Sequence, residues 1–277
     1  MANSSTAAKT SYHTRSISLP SRAHPQTSSL EDRLCRLRSS STASTSSSEI
    51  CHNLGLLNDL YESFDDLLQS PHAQQALSKN HQIEKSLDGS LKLLDICSMT
   101  KDALLIIKES LQNIESSLRR RKSTGESAHA DEVQNFHVSR KNVKRIVKKC
   151  FKNMRQVESC KIKMEIGEQN SEHVALLAIM REVEAVSLPI LQSILAFVFG
   201  TETKSFLSKL ISSKQTGNQG QVMEKMEKAL ETLKGQNTQK IELQSIELVI
   251  QELEEGLECL FRRLLKSRVS LLNMLNH

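Results

Sequence analysis

The sequence predicts an all-α protein: a bundle of long antiparallel amphipathic helices with a coiled-coil-like C-terminal helix, preceded by a disordered N-terminal tail. Three observations carry this. Turn formers are scarce, with nine Gly and four Pro in 277 residues, and long helices exclude both. From about Cys51 onward, apolar residues recur three and four positions apart. Residues 1–49, by contrast, are poor in large apolar side chains, and Ser39 to Ser48 holds only Ser, Thr and Ala43.

A tail of that composition cannot bury enough surface to offset its ordering entropy. The chain therefore divides into a disordered, Ser-rich basic tail over 1–49 and a single helical-bundle domain over 50–277. Leu30, Leu34 and Leu37 have the spacing of a short helical turn within the tail. Residues 1–25 contain no apolar run of the kind a secretory signal needs, but they are free of acids and carry Lys9, Arg15 and Arg22. A plastid transit peptide has the same look. The expected location is cytoplasmic, with plastid or peripheral membrane as alternatives.

Helical elements follow in order. Leu54, Leu57, Leu60, Tyr61, Phe64 and Leu68 share one face. Ser70 and Pro71 then read as an N-cap with proline in the first helical position, redirecting the chain into a short helix through Leu77. Leu87, Leu91, Leu94, Cys97, Leu104, Ile107, Leu111, Ile114 and Leu118 form the next stripe, with Asp88-Gly89 as a place to break or bend it. The cations Arg119 to Lys122 close it at the negative end of the helix dipole.

A third long helix carries Val133, Phe136, Val143, Ile146, Cys150, Met154, Val157 and Met164. A fourth starts near Ser171 and should kink or split at Pro189, which removes a donor and crowds the preceding turn. Its stretch Val186 to Phe199 is too short and too polar to span a bilayer, which takes about 20 apolar residues. Phe206 to Ile211 make a short amphipathic piece, and residues 212–221 are the flexible internal linker. The C-terminal segment is the strongest signal. Ile246, Ile250, Leu253, Leu257, Leu260, Leu264, Ser267, Leu271 and Met274 alternate spacings of four and three, the a/d seam of a coiled-coil-like helix about 57 Å long. The seam should face the helices at 87–118 and 133–164. A homodimer through the same seam is the alternative.

Chemistry-bearing patterns are sparse. No Gly-rich phosphate loop, H-E-x-x-H or G-x-S-x-G is present. Adjacent carboxylates such as Asp65–Asp66 and Glu254–Glu255 diverge by about 100° on a helix. The expectation is a protein that is not an enzyme, with no catalytic residues, cofactor or metal. The six cysteines show no C-x-x-C pair and read as free thiols, mostly on apolar helix faces.

Charge is more informative. Arg140, Lys144, Lys148 and Lys152 form one i, i+4 row, and Lys141, Arg145 and Lys149 its neighbour. Residues 138–163 hold ten Lys/Arg and a single acid, Glu158. This face suits an acidic protein partner or an anionic membrane surface. Against that stands a solvated face neutralised by the acidic runs at 224–231 and 242–258. Nucleic acid is disfavoured, because stacking aromatics are nearly absent there. In the tail, Arg15-Ser16-Ile17-Ser18-Leu19-Pro20 matches R-S-x-S-x-P, the pattern read by 14-3-3-type proteins once Ser18 is phosphorylated. Ser123, after Arg120-Arg121-Lys122, is a second candidate phosphosite.

Several segments together carry a family resemblance: Tyr12 to Pro25 (YHTRSISLPSRAHP), Leu67 to Pro71 (LLQSP) with Gln74 to Leu77 (QQAL), Leu87 to Cys97 (LDGSLKLLDIC), and Leu260 to His277 (LFRRLLKSRVSLLNMLNH). Their order and the C-terminal run resemble the plant family of domains of unknown function grouped with BYPASS-like proteins. The resemblance spans nearly the whole chain. It implies a land-plant protein linked to root and shoot development, and it supplies no catalytic residues. The expected function is that of a non-enzymatic helical protein-interaction or regulatory factor. A peripheral membrane protein that binds anionic lipids through the basic helix face is the alternative.

Overall fold

The computed structural model describes residues 25–41, 46–77, 82–120, 127–159, 171–199, 222–231 and 237–276. In chain order the elements are α1 (Pro25–Ser41), α2 (Ser47–Gln69), α3 (Pro71–Leu77), α4 (Gln82–Arg120), α5 (Ser127–Ser159), α6 (Ser171–Phe199), α7 (Val222–Glu231) and α8 (Asn237–Asn276). No strand occurs among the described residues, and the all-α bundle is as expected. The segments 160–170 and 200–221, with Met164, the piece at 206–211 and the linker at 212–221, lie outside the described residues.

The N-terminal boundary is a correction. Residues 25–41, placed in the disordered tail, form α1, because Leu30, Leu34 and Leu37 bury completely against the bundle. That burial supplies what the Ser-rich composition lacks. α1 packs on α2 and α6, and Arg38 forms an ion pair with Glu182 of α6. α2 starts at a capping box: the Glu49 N–H donates to Ser46 Oγ at 3.3 Å, and the Ser46 N–H donates to the Glu49 carboxylate at 3.4 Å. It ends at Ser70, whose hydroxyl accepts from the Ala73 N–H at 3.2 Å. Ser70 is thus the N-cap and Pro71 the first residue of α3, as the sequence predicts.

α2, α8, α4 and α6 pack each on the next in a closed ring of four helices. The nine-residue seam of α8 is buried along its whole length, with no member more than 5% exposed. It faces α2 and α4 rather than α4 and α5. The helix at 133–164 was the expected neighbour, but α5 uses its apolar face on α4 and α6. α2 takes the vacated place with Leu54, Leu57, Leu60, Phe64 and Leu68 all buried. The seam, for which a homodimer was the alternative to packing within the bundle, is covered by helices of its own chain.

Cross-links fix direction. Cys97 Sγ donates to the Leu257 carbonyl at 3.7 Å, Lys108 pairs with Glu254 at 2.5 Å, and Arg268 donates to the Leu87 carbonyl and to Ser90. α4 and α8 are antiparallel. Asn58 donates to the Gly256 carbonyl at 3.1 Å, Arg263 pairs with Glu62 at 3.2 Å and Lys266 pairs with Asp65 at 2.6 Å. α2 and α8 run parallel, one such pair inside a bundle where α4 is antiparallel to both α5 and α8.

At two positions where a bend or a break was expected, the helix is continuous. α4 continues through Gly89, where a Cβ would lie 2.6 Å from the Glu184 carboxylate of α6. α6 continues through Pro189, which sits on its exposed side. Buried residues on both sides, from Leu176 to Phe199, anchor both halves in the bundle. Apolar around most of its circumference, α6 is the inner helix, touching α1, α2, α4 and α5.

Three substitutions test this packing by urea denaturation. Leu257→Ala, at a site with no exposure, should cost about 2–5 kcal/mol. Leu248→Ala, at a site 69% exposed on the same helix, should stay within about 0.5 kcal/mol. Ser267 places a buried hydroxyl without a hydrogen-bond partner in the seam. Ser267→Ala should leave stability unchanged or raise it by up to about 1 kcal/mol, since an unsatisfied buried group is costly.

Candidate interaction surface

α5 has two faces of opposite character. Phe136, Val143, Val147, Cys150, Phe151, Met154 and Val157 are buried, most of the contact being with α4. Of the seven cations read as a basic face, Lys141, Arg145, Lys148, Lys149 and Lys152 are exposed, whereas Arg140 and Lys144 are half-buried. Arg140 pairs with Glu227 of α7 at 2.6 Å. The acidic run at 224–231 therefore neutralises the edge of the face, as the solvated-face reading expects. The run at 242–258 does not serve it: Glu254 and Glu258 pair with Lys108 and Lys101 of α4, and Glu242 with Lys225.

Exposure leaves five cations on the face, and four of them centre on one outer stripe, with Lys148 at its margin. Lys141, Arg145, Lys149 and Lys152, spaced four, four and three, centre roughly 180° from the buried seam of α5 at 3.6 residues per turn. All four are exposed. Residues 133–157 hold eight Lys/Arg and no acid. Val138, 49% exposed, extends the same face by one turn. The candidate phosphosites Ser18 and Ser123 lie outside the described residues.

Elsewhere the polar groups serve the bundle. An open groove of about 620 Å³ runs along α4 and α8. Lys101 there pairs with Glu258 and stands 4.8 Å over the Phe261 ring. The hydrogen bond from Lys101, helped by Arg262, holds the Glu258 carboxyl below its usual range. Glu254, Arg263 and Lys266 are likewise paired with neighbouring helices. An enclosed space between Tyr61, Ser90, Glu184 and Ser267 measures only about 20 Å³. The Tyr61 hydroxyl, 3.0 Å from Ser187 Oγ, is pushed up by burial. Among the described residues, no three His, Cys, Asp or Glu side chains converge to hold a metal, and no helix is long and apolar enough to cross a membrane.

One feature is hidden in the sequence. Leu265, Val269, Leu272 and Leu275 are 38–54% exposed along the last turns of α8, beside the seam rather than in it. Their spacing of four, three and three carries the signal, but the stronger seam pattern beside it masks them.

A family model described as Protein BPS1 matches residues 53–274. That match bears out the BYPASS-like resemblance over most of the span on which it was read. No curated protein and no solved structure matches the chain.

The thiols give a direct check on this burial. It pushes Cys97 and Cys150 up to about 12, leaving about one thiol in ten thousand ionised at pH 8. Thiol reagents at pH 8 should modify exposed Cys35 promptly and spare Cys97 and Cys150 until denaturant is added. Mass-spectrometric mapping of labelled peptides would report it, and early labelling of Cys97 or Cys150 would contradict the packing.

Proposed function

The chain belongs to the BPS1 family, and we propose that it works by binding without turnover, as a helical interaction factor whose α5 stripe docks a partner surface rich in anionic groups. One observation carries the reading. Lys141, Arg145, Lys149 and Lys152 are exposed together on the side of α5 opposite its buried face, with no acid from 133 to 157. Like charges four residues apart cost about 0.2–0.5 kcal/mol per pair on a helix. A surface with no task would not need to bear that cost.

The resemblance to BYPASS-like proteins supports a place in the control of root and shoot development in a land plant. Phosphorylation is the regulatory input of this proposal. Phosphate at Ser18 would offer the tail to a 14-3-3-type reader, and phosphate at Ser123 would oppose the dipole at the end of α4. The cytoplasm is the compartment this reading needs.

Affinity purification from plant cells tests it with three chains: the intact protein, Ser18→Ala, and the charge reversal Lys141→Glu, Arg145→Glu, Lys149→Glu, Lys152→Glu. The expected result is that the reversal loses most of the recovered partner set while keeping its helicity, and that Ser18→Ala loses a smaller, phosphate-dependent subset. Recovery of the same set from all three would remove the stripe and the tail from the function.

A further inference from the structure

We infer that the anionic surface met by α5 is a lipid bilayer leaflet, bound peripherally and without headgroup stereochemistry. This rests on the docking role proposed above and names the partner.

The geometry favours a broad, flat target. α5 packs against α4 and α6, and its outer stripe points directly away from both. Four cations from 141 to 152 span about 17 Å on a convex helix face, and none of them lines the groove along α4 and α8. A plane can touch all four at once, whereas a small ligand would meet one or two.

The chemistry points the same way. Three of the four are Lys, and no aromatic side chain lies among them. Protein interfaces deplete Lys and rely on aromatic and Arg anchors seated in pockets. Single-stranded nucleic acid is gripped by stacking aromatics. A leaflet of anionic headgroups asks only for mobile cations at its surface, which Lys stems provide. Val138, 49% exposed on the same face, adds an apolar tip of the kind that enters the headgroup region. α7 limits the contact at its edge, because Glu227 already holds Arg140.

The test is co-sedimentation of the full chain with phosphatidylcholine vesicles, alone or with about 30 mol% phosphatidylserine. Binding should require the anionic lipid and fall away as ionic strength rises, because a Debye length of about 10 Å at 0.1 M shrinks to about 3 Å at 1 M. Changing Lys141, Arg145, Lys149 and Lys152 together to Gln should weaken it at least about a hundredfold. The variant with the three Lys changed to Arg should bind as the parent does. Circular dichroism and the urea midpoint of both variants should match the parent, since all four side chains are exposed.

Binding to phosphatidylcholine alone, binding that survives the Gln substitutions, or binding indifferent to salt would overturn the inference. So would capture by polyglutamate or by duplex DNA without capture by anionic vesicles, each naming the other partner class. If vesicles fail while partner recovery from cells still depends on the stripe, the docking role stands and only the membrane falls. If neither depends on the stripe, both fall.

Discussion

The buried seam of α8 is the constraint from which the rest of the fold follows. Its nine members, Ile246 to Met274, are at most 5% exposed, and they face two helices that are far apart in sequence. Asn58 meets Gly256 across 198 positions, and Lys101 meets Glu258 across 157. Closing such loops costs entropy that only a long, continuous contact can offset. Forty residues of unbroken helix provide that contact, and polar pairs at its margins set the register. Asp65 shows how. Buried at 3% exposure, it is held by Lys266 at 2.6 Å and by Ser270 at 3.1 Å. A one-turn slip of α2 on α8 would leave that carboxylate buried without its cation, which is far costlier than losing an exposed pair.

Much of this was legible in the sequence, and the omissions have physical causes. Spacing alone identifies every residue of the seam, because only a helix brings positions three and four apart onto one face over many turns. Ser70 and Pro71 were legible for the same local reason: cap chemistry is written within three residues. The neighbours of the seam were not legible. α2 and α5 both carry wide apolar stripes, and periodicity says that a face is buried without saying against what. α1 was legible only as a short turn at Leu30, Leu34 and Leu37; its full length and its docking were hidden by the Ser and Thr around three side chains that bury fully.

Glycine and proline mislead for a related reason. A glycine inside a helix costs about 1 kcal/mol against Ala, yet at Gly256 a Cβ would lie 2.6 Å from the Leu54 methyl. The residue is what lets α2 approach, and only the tertiary contact reveals it. Pro189 reads as a kink or a break, but the rule that proline interrupts a helix assumes that no packing holds the turns on either side together. Here Val183, Ile190 and Ile194 are all buried, and the packing of α6 overrides the local preference. The basic face was legible as a set of seven residues. Its division into half-buried and outward cations depends on where α4 and α7 lie, and spacing does not contain that information.

That division explains why the outer stripe keeps its charge. The acids that could neutralise it are held elsewhere by the geometry of the bundle. Glu254 and Glu258 on α8 face the lysines of α4, and Glu62 and Asp65 on α2 face the cations of α8. α4 stands between α8 and α5, so the acidic helix cannot reach the outer row of α5. Among the described residues α7 meets the face at its edge, where Glu227 pairs with Arg140. Opposite charges thus join α2, α4 and α8, while one sign collects on the outer side of α5. A helix can tolerate that repulsion because its other face is anchored: seven buried side chains of α5, each worth about 1.5–3 kcal/mol when large and apolar, outweigh a few like-charge contacts of a fraction of a kcal/mol each. The apolar seam is therefore what permits the cationic face to exist, and any partner with the opposite charge relieves the repulsion as it binds.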